Sequence, residues 1–242
     1  MTRLAVQIVS RERLQQTVAA LTSVLKHTET PFDVHLWDNG SGPGMQTYLR
    51  EHFRDYRHLR MTFTGENIGY GPAHNEMVKQ GDSEFIAVLT NDVIMGPSWA
   101  SALLAPFRGA NVGQSSPVHI FSQLTETGLG VPPGGVPDPA LRQRLGRMAE
   151  YCDGSCFIVP RSVVRERGFL FDPMFGLGYS EDADLSLWLR SKGRRIVQVP
   201  IRWRRDESAK TPINVDRKAL SDGNNRKLLE RWGSYLKTRR FA

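Results

Sequence analysis

The sequence predicts an α/β fold with a mostly parallel central sheet and helices on both faces. Three observations carry that expectation. Short, strongly apolar runs alternate with segments whose apolar residues recur every three or four positions. The rhythm holds over the first 95 residues. Each apolar run is followed by polar or glycine-rich residues, as expected at the carboxyl ends of parallel strands, where such sheets bind ligands.

Taken in order, residues 4–9 read as a buried strand, followed by a helix in which Leu14, Val18, Leu21 and Leu25 fall on one face. Residues 32–37 form the next strand and end in the turn-rich Asp38-Asn39-Gly40-Ser41-Gly42. A helix over 45–53 leads to a strand over 59–64, and a helix over 72–79 precedes the very apolar strand 85–89. Parallel neighbours need crossover connections, and these alternating helices supply them. Beyond Asp92 the rhythm breaks. Residues 127–139 hold four Gly and four Pro, which predicts a long loop, either a lid or acceptor-binding segment or a plain insertion. Residues 157–159 and 195–199 read as strands framing a helix that starts after Ser180. From Asn214 the spacing of Leu220, Leu228, Leu229, Trp232 and Leu236 is helical, with basic residues between them.

At 242 residues and 40% apolar composition, the chain can bury one substantial core, so a single compact unit is expected. No apolar stretch approaches the roughly 18–20 residues needed to cross a bilayer, and residues 4–9 are too short for a signal sequence. A cytoplasmic protein is the expectation. Cys152 and Cys156 have no further Cys or Cys/His pair to complete a zinc site, which favours two small buried thiols over a redox pair. The net charge of +7 is uneven: residues 194–242 carry 14 Lys or Arg against 5 Asp or Glu. Such a basic segment is either a well-solvated helix or a surface for nucleic acid, an anionic membrane to which the protein attaches peripherally, or another phosphate-bearing partner.

Chemistry concentrates in a few segments. Ser180-Glu181-Asp182-Ala183-Asp184-Leu185 looks like a helix start, with Ser180 as N-cap, acids in the first turn, and Leu185, Trp188 and Leu189 as the buried stripe before Gly193. The same acids follow an aromatic, glycine-rich approach over 169–176. Apolar groups there could raise a carboxylate pKa toward that of a general base. Thr90-Asn91-Asp92 ends the most apolar strand; one carboxylate can hold Mg or Mn if a diphosphate completes the shell, although Asn-Asp is also an ordinary turn signal. Residues 67–75 bring Gly69 and Gly71 to a helix start suited to phosphate, without the dinucleotide or P-loop spacing. His74 reads as structural.

With these segments in order, the sequence resembles the family 2 glycosyltransferases, especially the bacterial rhamnosyltransferase-like members, over residues 4–200. The matching residues are Asp38, Asn39 and Ser41; Asn67, Gly69, Ala73 and Asn75; Asn91 with Asp92; Gly154, Ser155 and Arg161; Gly168, Phe171 and Asp172; and Glu181, Asp182, Asp184 and Leu185. The resemblance implies a GT-A fold. Residues 1–95 would form a Rossmann-like nucleotide-sugar-binding half, 96–205 an acceptor-binding and catalytic half of the same domain, and 206–242 a basic helical tail. It also implies an inverting hexosyl transfer from a nucleotide-sugar donor to a carbohydrate, lipid-linked or other hydroxyl acceptor, as in polysaccharide biosynthesis. Asp182 would be the base, with Glu181 beside it. Ser10, Asp38, Asn67, Gly69, Asn75, Asn91, Asp92 and Arg204 would contact the donor, with a divalent metal at Asp92.

Two departures matter. Where relatives place a His after the last strand's Pro, this chain has Arg202-Trp203-Arg204-Arg205, and an Arg fork can bind diphosphate directly and lessen dependence on metal. The first strand is followed by Ser10-Arg11-Glu12 in place of the usual Thr-Tyr-Asn. Competing readings are a non-catalytic module that binds nucleic acid or an anionic surface through the tail, and a glycosyltransferase acting on a polyanionic acceptor such as modified DNA. A sugar-phosphate nucleotidyltransferase lacks the glycine-rich basic loop it needs after the first strand.

Overall fold

The computed structural model describes residues 3–118, 124–125, 128–129, 151–206 and 214–238. The elements in chain order are β1 (Leu4–Ser10), α1 (Leu14–His27), β2 (Phe32–Asp38), α2 (Pro43–His52), β3 (Leu59–Phe63), α3 (Tyr70–Val78), β4 (Phe85–Thr90), β5 (Val93–Met95), α4 (Trp99–Leu104) and β6 (Val112–Pro117). There follow β7 (Leu124–Thr125), β8 (Gly128–Leu129), β9 (Cys156–Pro160), α5 (Arg161–Arg167), α6 (Glu181–Ser191), β10 (Arg195–Val199), β11 (Trp203–Arg205) and α7 (Arg217–Thr238). Apart from β8, the loop expected over 127–139 lies outside the described residues.

Among the described residues, seven strands form the central sheet in the order β3-β2-β1-β4-β9-β6-β10. The pairs β2–β3, β1–β2, β1–β4 and β6–β10 are parallel, whereas β9 runs antiparallel to both β4 and β6. Both faces are covered, which is why the central strands are apolar on both sides. Along β4, Ala87 and Leu89 join a cluster with residues of α1, α2 and α4, while Ile86 and Val88 join one with α3, α5 and α6. The two-residue period of a strand thus serves two cores at once.

The reversed direction of β9 positions the site. Parallel strands deliver their carboxyl ends to one edge, and an antiparallel strand delivers its amino end there. Leu89 at the end of β4 pairs with Cys156 at the start of β9. The Thr90 amide donates to the Ser155 carbonyl at 3.0 Å, so residues 153–155 lie beside residues 90–92. A short antiparallel ribbon, β5 with β11, extends the same edge and sets Arg205 opposite Val93.

Helix α7 packs onto the body through buried Leu228 and Leu236 against Phe175, Ala183 and Leu187. The Asn224 amide donates to the carbonyls of Phe175 and Gly178, both at 2.6 Å. Cys152 and Cys156 are free and buried, as the sequence suggested.

Candidate active site

A cavity of about 820 Å³ opens at this edge. Its walls come from the ends of β1 and β4, the residues before β9, the segment 177–182 and the first turn of α7. Asp92 and Asp182, ninety positions apart, both line it.

One side is acidic. The Gly154 amide donates to Oδ2 of Asp182 at 2.8 Å, and the Ala183 amide to Oδ1 at the same distance. Burial, followed by the negative charge of Asp153, pushes the Asp182 carboxyl up to about 6. Glu181 is 6% exposed, and its Oε2 has no hydrogen-bond partner among the described residues. Burial and then the adjacent Asp182 push it up to about 8. Tyr70 lines the same cavity, and its hydroxyl donates to the Gly154 carbonyl at 2.5 Å. Burial first, then the charges of Glu181, Asp182, Asp153 and Asp92, raise its pKa well above the ordinary tyrosine value, so it remains a neutral donor.

The other side is cationic. The guanidinium of Arg13 donates to Oδ2 of Asp92 at 3.2 Å and to the Asp206 carbonyl at 2.9 Å. The Nε of Arg205 donates to the same Asp92 oxygen at 3.2 Å. The remaining oxygen, Oδ1, accepts from the Thr90 hydroxyl at 2.5 Å. Both carboxylate oxygens therefore already have protein donors, and two of the donors are cations. Among the described residues no three His, Cys, Asp or Glu side chains gather as a metal shell. Asp92 is thus arranged as the anion of two ion pairs, and a divalent cation seated at it would face both guanidinium groups.

Several residues singled out from the sequence converge here: Ser10, Asn67, Asn91, Asp92, Glu181 and Asp182 all line the cavity. Others support it from behind. Asp38 is fully buried and accepts from the Ser10 hydroxyl at 3.1 Å, the Ser41 amide at 3.0 Å, the Ser41 hydroxyl at 2.5 Å and the Gln46 amide at 3.2 Å, so it organises this corner rather than facing a ligand. Asn75 bonds Leu170 and Phe171, donating to the Phe171 carbonyl at 2.7 Å and accepting from both amides at 3.0 Å. Gly69, at φ +102°, lets the chain pass the backbone of residues 176–177, where a Cβ would fall 2.7 Å from the Gly176 carbonyl oxygen. Arg204 is not among the residues that line the cavity. Alternation along β11 sends neighbouring side chains to opposite faces, and it is Arg205 that lines the cavity. Nor is Ser180 a side-chain cap. Its φ of +71° departs from the extended backbone of a capping residue, and its buried hydroxyl has no partner among the described residues.

Sequence reasoning assigned no individual role to Arg13, Tyr70, Asp153, Arg217 or Lys218, all of which line the cavity, and placed Arg205 only within the basic run that could bind diphosphate. Asp153 was hidden because strand direction does not show in an apolar run. Arg13 could have been found as a cation three residues past a strand's carboxyl end.

A cavity at the carboxyl edge of a mostly parallel sheet is where such folds bind ligands. Solved structures of similar fold include the mannosyltransferase PcManGT from Pyrobaculum calidifontis in complex with GDP-Man and Mn2+ (TM-score 0.67, 14% identity, 99% of this chain and 66% of that one). Another is GalNAc-T7 with UDP, GalNAc and Mn2+ (TM-score 0.77, 16% identity, 96% and 48%). The fold is that of the GT-A glycosyltransferases, and the chain spans less than two thirds of either solved relative. Residues 6–168 match Glycosyl transferase family 2. Over 213 residues the chain is 30% identical to N-acetylglucosaminyl-diphospho-decaprenol L-rhamnosyltransferase of Mycobacterium tuberculosis, covering 74% of this chain and 68% of that protein. The chain belongs to glycosyltransferase family 2 and is a glycosyltransferase. No helix among the described residues is long and apolar enough to cross a membrane.

Proposed function

We propose that the protein moves a sugar from a nucleoside-diphosphate donor to an acceptor hydroxyl in one displacement that inverts the anomeric carbon, with Asp182 as general base. The observation that supports this reading is that Asp182 and the Asp92 carboxylate with its two arginines line one cavity. The donor's nucleoside lies toward Ser10 and Asn67, and its diphosphate toward the cations around Asp92. The acceptor hydroxyl approaches Asp182 from the acidic side. A carboxyl titrating at about 6 is largely ionised near neutrality yet more basic than an exposed aspartate, which suits removal of a hydroxyl proton as attack proceeds. The Gly154 amide holds Oδ2 in place. Glu181, titrating higher, keeps its proton and can donate to a sugar hydroxyl. Tyr70 fixes the Gly154 carbonyl and so the loop that carries the amide.

The mycobacterial relative's name supports a rhamnosyl donor and a polyprenyl-diphosphate-linked acceptor. Arg217 and Lys218, at the cavity wall formed by the first turn of α7, fit the anionic part of such an acceptor. The test is incubation with a panel of nucleotide sugars and a polyprenyl-diphosphate sugar, with the product's anomeric configuration read by NMR. Inversion is expected; a product that keeps the donor's configuration would sink the single-displacement mechanism.

A further inference from the structure

The ion pairs around Asp92 point to a specific way of holding the donor. We infer that Arg13 and Arg205 bind the donor's diphosphate in the place that a divalent cation would otherwise take, so that nucleoside-diphosphate binding does not need a metal. This rests on the glycosyltransferase reading above and adds the chemistry of its anion subsite.

Three features of the chain carry it. The first is charge. Two guanidinium groups converge on one oxygen of a single carboxylate, and both line the cavity. A dication seated at that carboxylate would face both of them. The second is burial: the Arg13 side chain is 6% exposed, and its Nε is a buried donor with no partner among the described residues. A buried cation with a donor to spare is completed by an anion, and a guanidinium fork matches phosphate oxygens in pairs. The third is fixed placement. Glu12 and Arg13 both have left-handed backbone, at φ 52° and 59°. That turn is held because the Glu12 amide donates to the Ser41 hydroxyl at 2.7 Å, and its carboxylate accepts from the Gly42 amide at 2.8 Å. Arg205 is fixed from the other side by pairing of β11 with β5. The subsite is therefore built before any ligand arrives, and Asp92 orients the two cations rather than coordinating a metal ion.

The test is calorimetric titration of the full chain with UDP, dTDP and GDP, once with excess EDTA and once with MnCl2. At least one diphosphate should bind, with dissociation constants in the two conditions within about threefold of each other. Arg13→Gln and Arg205→Gln should each weaken that diphosphate about tenfold or more, while the corresponding nucleoside weakens less than threefold. Thermal unfolding of the ligand-free variants checks that they fold, and the comparison of EDTA with Mn on the unaltered protein needs no variant. Binding seen only with Mn, or unchanged in both folded variants, overturns the arginine subsite and leaves the glycosyltransferase reading intact. No binding of any nucleoside diphosphate in either condition overturns both.

Discussion

The backbone amide of Gly154 donates to Oδ2 of Asp182 across 2.8 Å, joining the residues before β9 to the first turn of α6. The two segments are 28 positions apart and meet because β9 runs against its neighbours. Replacing Asp182 by Asn keeps the side chain's shape and an acceptor for that amide, so the fold should survive. The basicity is lost, and kcat should fall by about 10²–10⁴-fold with little change in donor KM. Steady-state kinetics on the folded variant check this; near-normal turnover would remove Asp182 from the role of base.

The pH dependence of transfer follows from the raised carboxyls. The active base is the ionised form, so turnover should fall as pH drops through about 6, rather than near the ordinary value of 3.8. A pH–rate profile of kcat shows the limb, and Asp182→Asn should abolish it.

Stability has the opposite sign. A buried acid whose folded pKa is raised binds more protons folded than unfolded across the interval between the two values. Its contribution therefore declines as pH climbs from the unfolded value toward the folded one. For Glu181 that window runs from 4.5 to about 8. Thermal unfolding should show Glu181→Gln gaining on the unaltered protein across this range, by on the order of 1–3 kcal/mol at its top.

Asp184 is fully buried and accepts from Arg231 at 3.0 Å, from the Trp232 indole at 2.8 Å, and from Arg167, whose side chain is 4% exposed. Asp184→Ala leaves Arg167 buried without its partner and should cost about 3–5 kcal/mol, read by urea denaturation. A loss below about 1 kcal/mol would show that the network relaxes around the gap.

Arg217→Gln combined with Lys218→Gln should raise the KM for a polyprenyl-diphosphate acceptor about fivefold, the effect of partly screened charge contacts. Donor KM should move far less. Equal effects on both substrates would place these cations elsewhere in the reaction.

Much of the fold was legible. Strands β1, β2 and β4 are apolar runs of the right length, and α1 shows a clear stripe. Strand β6 was missed because its buried residues Gln114, Ser115 and Ser116 are polar, and a local reading does not see the distant contacts that accommodate them, such as the Ser115 hydroxyl donating to the Leu103 carbonyl at 2.5 Å and the Ser186 hydroxyl to Oε1 of Gln114 at 2.8 Å. Asp92, Glu181 and Asp182, which the structure brings to one cavity, were legible as candidates because their segments end a strand or begin a helix. Asp38 and Asn75 were legible as special residues, but whether a polar side chain faces a ligand or braces the wall behind it depends on partners distant in sequence. The displacement from Arg204 to Arg205 is one step of strand alternation, set by the pairing of Arg205 with Val93.

Asp182 and Asp184 share a single helical turn, one facing the cavity and the other gripping α7 through Arg231 and Trp232. Helix α7 is thereby tied to the same helical turn that carries Asp182 into the cavity. If Asp182 is the base, trimming α7 should disturb its placement as well as the fold, even though every residue of that helix lies more than thirty positions downstream.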